Sequence, residues 1–78
     1  MIGKEEFWLD AKNELSKIMQ TISYDVWIDK LEPLCFIDDT FVLVTLTASS
    51  KRTIDERYLD TIVSVVNSLN KSVSKVEV

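Results

Sequence analysis

Chemistry in this chain would have to come from its carboxylates. Asp38-Asp39, with Asp29 and Glu32 a few residues upstream, offers a carboxylate pair or part of a divalent-cation site. A solvated turn accounts for the same Asp-Asp step without any function. Asp55, Glu56 and Asp60 make a second acidic group, which compensation of a helix dipole would explain. The usual partners are missing. The chain has no His, the side chain that most often moves protons near neutral pH and binds zinc. Gly3 is its one glycine, which excludes a Gly-rich phosphate loop. Cys35 lies in an apolar run with no His to activate it, and reads as a small hydrophobe rather than a nucleophile. The sequence thus predicts no catalytic residue, no metal site, no cofactor and no small-molecule substrate.

Binding is the remaining possibility, and two sets of residues bear on it. Lys51, Arg52 and Arg57 gather at the start of a long helical segment and would form a small basic patch for single-stranded nucleic acid. Against that patch stands a net charge of −4, which opposes the counterion release behind most non-specific affinity. The second set is aromatic. Trp8 and Met19 fall at one margin of the first helical stripe, where they either anchor a protein partner or complete the core. Trp27 lies mid-stripe in a short helix and reads as core.

These residues need elements to hold them. Lys4 to Ile22 has the periodicity of an amphipathic helix, with Phe7, Ala11, Leu15, Ile18 and Ile22 on one stripe and Leu9 off it. Ser23 is the expected cap of a short second helix carrying Tyr24, Trp27, Ile28 and Leu31, which Pro33 stops. Leu34–Ile37 and Thr40–Leu46 read as two strands joined at Asp38-Asp39. Phe41, Leu43 and Thr45 share one strand face; Val42, Val44 and Leu46 share the other, which is unusually apolar for a solvent face. Thr47-Ala48-Ser49-Ser50 offers caps for a helix to about Leu69, striped by Ile54, Tyr58, Ile62, Val65, Val66 and Leu69. A last strand, Val73 to Val78, pairs with the hairpin. The fold class is therefore α+β, in the order α-α-β-β-α-β with a small three-stranded sheet packed against helices. That order resembles KH-like single-strand binders, although the GXXG loop with which they clamp a backbone is absent.

Residues 1–78 fit a single small domain, 46% hydrophobic, and too short for a multidomain enzyme. A lone Cys cannot close an intrachain disulfide, which favours a reducing, cytoplasmic setting. No apolar run approaches the ~20 residues of a membrane span, and the opening residues lack signal-peptide order.

One ordered set of residues carries a resemblance. Phe7-Trp8-Leu9, Leu15, and Ser23-Tyr24-x-x-Trp27-Ile28-x-x-Leu31-x-Pro33-Leu34 resemble the N-terminal domain of the bacterial replication initiator DnaA. So does the later Ile54-Asp55-Glu56-Arg57-Tyr58-Leu59-Asp60-x-Ile62. The resemblance implies a KH-like interaction domain that self-associates through its first helix. It also implies contact with the replicative helicase and initiation regulators, and a weak touch on single-stranded DNA. The self-association tryptophan falls on Trp8; the partner patch falls on Ser23, Tyr24 and Ser49. The chain departs from the family in that patch. Leu46-Thr47-Ala48-Ser49 replaces the Pro-Asn step and exposed Phe, Thr53 stands where a Trp is common, and Ser23 replaces an acidic residue. The family's linker, ATPase and DNA-binding domains are not among these residues. The resemblance thus leaves two readings, one domain of an initiator or a stand-alone adaptor or decoy.

Overall fold

A computed structural model describes residues 3–78. Helix α1 spans Lys4–Ile18, with Glu5 and Glu6 in its first turn, where they complement the helix dipole. It ends because Met19 and Gln20 turn extended, so the chain re-enters helix at Thr21. Helix α2 covers residues 21–28 as an α turn, Thr21–Ser23, followed by a π-wound turn, Tyr24–Ile28. The break therefore comes two residues earlier than the sequence predicts. Ser23 lies inside α2 with helical backbone angles and caps nothing. Ile22 is carried onto α2 and is 77% exposed, and Ile18 in the last turn of α1 is 64% exposed. Both belong to the predicted apolar stripe, yet the helix that would have aligned them is interrupted between them.

Strands β1, Glu32–Ile37, and β2, Thr40–Val44, pair antiparallel through the Asp38-Asp39 turn. Asp38 takes the left-handed conformation there, φ 54°, which Asp tolerates better than most residues. The register slips between Pro33 and Cys35, leaving Leu34 as the extra residue of a bulge. Strand β3, Lys75–Glu77, lies parallel to β2, giving the sheet order β1-β2-β3. Its docking is polar as well as apolar. The Asp39 carbonyl accepts from the Ser74 and Lys75 amides, and the Asp39 carboxylate accepts from the Ser74 hydroxyl at 2.9 Å.

Helix α3 occupies residues 48–69 as Ala48–Thr53, a π-wound stretch Ile54–Tyr58, and Leu59–Leu69. Thr47 is its cap, its hydroxyl accepting from the Ser50 amide at 3.1 Å. The apolar residues Ile54, Tyr58, Ile62 and Val66 recur every four positions, overshooting an α-helical turn of about 3.6 residues each time. The wider π turn absorbs that overshoot, so Ile54, Ile62 and Val66 are all fully enclosed. Leu69 lies past the reach of the core and is 42% exposed.

The helices cover one face of the sheet. Phe7, Trp8, Ala11 and Leu15 of α1, Phe41 and Leu43 of β2, and Val76 of β3 join the α3 residues in one buried cluster. Phe7 meets Phe41 edge-on at 5.1 Å between ring centres, and Phe36 closes on both. Trp8 is enclosed, with its indole N–H donating to the Leu31 carbonyl at 2.9 Å. No polar side chain is buried among the described residues.

Two predictions follow from these contacts. Trp8→Phe removes the donor and strands the buried Leu31 carbonyl, at a cost of about 1–3 kcal/mol; Trp8→Ala adds a cavity and costs about 3–5 kcal/mol. Urea unfolding of both variants measures the difference. The Ser74 hydrogen bond, with help from Lys75 and Thr40 and against some desolvation, holds the Asp39 carboxyl below its ordinary value. The folded state therefore gains stability from Asp39 above the ordinary carboxylate range and loses it as pH falls through the lowered value. An NMR carboxyl titration should show that low midpoint, and Ser74→Ala should raise it.

Candidate protein-interaction surface

The side chains proposed for binding separate into three groups in the structure. Trp8 is core, only 2% exposed, so the reading of its indole as an exposed anchor is corrected. Its N–H needs a partner when buried and finds the Leu31 carbonyl, while its ring meets Phe41 at 6.0 Å. Trp27 is the reverse case. Predicted to be core, it is half-buried and stacks obliquely on Tyr58, with ring centres 6.5 Å apart. Trp8 is thus the more enclosed of the two tryptophans, and Trp27 packs at the margin of the core.

Trp27 lines a shallow groove of about 190 Å³ between α2 and the connection from β2 to α3. Its apolar lining is Val26, Trp27, Leu31 and Leu46; Lys30 brings one cation, and Thr47 and Ser50 bring hydroxyls from the start of α3. Val26 is 50% exposed and Leu46 82% exposed, so the rim of the groove is apolar too. Sequence reasoning placed Leu46 on an apolar strand face and Trp27 in the core, and did not bring them together in a groove. The available signal was Leu46, a large aliphatic residue between two threonines just past a strand, where a polar connection is usual.

Ser23 and Tyr24 sit half-buried one turn earlier on α2 and are not in the groove lining. Burial, then the neighbouring charges of Asp29 and Asp25, raise the Tyr24 phenol above its ordinary value, so it remains a neutral hydroxyl. Ser49 is exposed in the first turn of α3, next to the groove residue Ser50. The predicted partner patch thus lies beside the groove, displaced by about one helical turn on α2.

The basic cluster is largely self-neutralised. Lys51 pairs with Asp55 at 2.8 Å and Arg52 with Glu56 at 3.2 Å, both four residues apart on α3. Capping at Thr47 puts Asp55 and Glu56 beyond the first turn, so these ion pairs replace the dipole compensation expected of them. Arg57 is exposed and makes no ion pair among the described residues. The other acidic group, Asp38-Asp39, is the turn described above. No cluster of three or more metal-ligating side chains occurs among the described residues. Nor is any described helix long and apolar enough to cross a membrane.

No family model matches the chain. Individual proteins do. The chromosomal replication initiator protein DnaA of Geotalea uraniireducens is 27% identical over 73 residues, covering 94% of this chain and 16% of its own length. That of Geobacter sulfurreducens is 29% identical over the same extent. This chain resembles the N-terminal region of DnaA. It spans about 16% of the length of the curated relatives it matches. The matched 73 residues leave only five of the 78 outside the likeness.

Fluorescence quenching checks the burial of the two tryptophans. With Trp27→Phe, the remaining Trp8 should resist acrylamide; with Trp8→Phe, Trp27 should be quenched several-fold more readily. Equal quenching of the two would contradict the burial described here.

Proposed function

We propose that this chain is a non-catalytic protein-interaction domain acting in chromosomal replication initiation in the cytoplasm. It self-associates and recruits the replicative helicase or regulators of initiation. The observation that carries this reading is the groove rimmed by Val26 and Leu46 and floored by Trp27. That groove joins large exposed side chains to a fixed framework, as protein interfaces do. Similarity to the DnaA initiators supports the biological setting. Leu46 lies in the stretch where the family carries its exposed Phe, and it is the most exposed large hydrophobic residue described. An aliphatic anchor therefore occupies the place of an aromatic one. A single-strand-binding role draws less support, since two of its three candidate cations, Lys51 and Arg52, are already engaged by carboxylates.

Leu46→Ser tests the reading cleanly. At 82% exposure the substitution should change stability by no more than about 0.5 kcal/mol. Titration against the replicative helicase of the same host, followed by calorimetry, should show binding weakened at least about tenfold. Unchanged affinity would remove the groove from the recruitment surface.

A further inference from the structure

Among the described residues, no helix covers the side of the sheet turned away from α1 and α3. Partner positions across the ladder share a face, so Val42, beside Cys35 and Glu77, points outward with Ile37, Val44 and Lys75. Ile37 is 56% exposed and Val44 41% exposed, while inward Phe41 and Leu43 are enclosed. Three charged residues lie on this face, with Glu77 midway along the β3 edge beside Val42. Glu32, opposite Val44, marks one corner at the end of β1; Lys75, opposite Thr40, marks the diagonal corner on β3. Neither takes part in an ion pair among the described residues.

We propose that this face binds a second copy of the chain, sheet against sheet, about a two-fold axis through Val42 perpendicular to the line from Glu32 to Lys75. The inference takes up the self-association in the reading above and assigns it to the sheet rather than to α1. That axis stacks Val42 on its own copy and brings Ile37 to within roughly one strand spacing of its own copy. It sets the strands of the two sheets crosswise, one of the two established modes of sheet packing. The same rotation carries Lys75 of each copy over Glu32 of the other, so both corner charges are paired around an apolar centre. Glu77 falls beside Val44 of the second copy and keeps its carboxylate at the rim. Three short strands offer well under the ~800 Å² per partner of a stable interface, so the dimer is weak and concentration-dependent.

Sedimentation of the chain up to about 1 mM reads this out, with circular dichroism confirming that each exposed-site variant is folded. Glu32→Lys and Lys75→Glu should each weaken dimerisation at least about tenfold, and the double variant should recover to within about threefold of the parent. Net charge cannot imitate that pattern, because E32K moves the chain from −4 to −2 and K75E from −4 to −6. Ile37→Asp should abolish the dimer. A dimer insensitive to all three substitutions overturns the sheet assignment and leaves self-association standing; a chain that stays monomeric throughout overturns both.

Discussion

The hydrogen bond from the Trp8 indole to the Leu31 carbonyl constrains everything around it. It ties the middle of α1 to the residue where α2 gives way to β1, two places the chain separates by 23 residues. The ring that makes this bond also lies against Phe41, so helix, connection and central strand converge on one side chain. Burial of the indole is favourable only with its N–H satisfied, and Leu31 is buried enough that its carbonyl needs the donor equally. Lys12 adds a second, exposed tie between the same elements through Asp29. With α2 anchored at its end, its remaining length presents Val26 and Trp27 beside Leu46. The groove is a consequence of that anchoring.

Two apolar surfaces result, and they differ in kind. The groove is concave, with a half-buried aromatic floor and hydroxyls from the cap of α3. The open face of the sheet is made by three short strands, with Glu32 and Lys75 at opposite corners and Glu77 on the edge between. The helices described here all pack on the side of the sheet that carries Phe41 and Leu43. Ile37 and Val44 are the apolar residues left outward on the other side, the ones the proposed second copy would cover.

Much of the fold was legible because local rules and packing agreed. Strand alternation placed Phe41 and Leu43 inward, and the Asp-Asp step marked the turn. Thr47 was among the caps offered for α3, whose end at Leu69 also followed from its pattern. The misreadings came where spacing says nothing about how far a core extends. Ile18 and Ile22 kept helical periodicity through a break created by two extended residues, and Leu69 kept it past the last neighbour. The tryptophans show the same limit. Angular position put Trp8 at a margin and Trp27 at a centre, but burial depended on which ring had a strand and a carbonyl within reach. The groove was invisible for a related reason, since it joins residues 26–31 to residues 45–50, which the sequence keeps apart. The family resemblance supplied its neighbourhood, and coordinates supplied its lining.

The polar clasp on the third strand bears on how the chain comes together. Asp39 and Ser74 are 35 residues apart, so their meeting closes a long loop whose entropy must be overcome before it is rewarded. The hairpin, by contrast, needs only its two-residue turn. Loop closure alone therefore favours forming the hairpin and helices before the C-terminal strand docks. In that order Val76 reaches the side of Phe41 only when the strand docks.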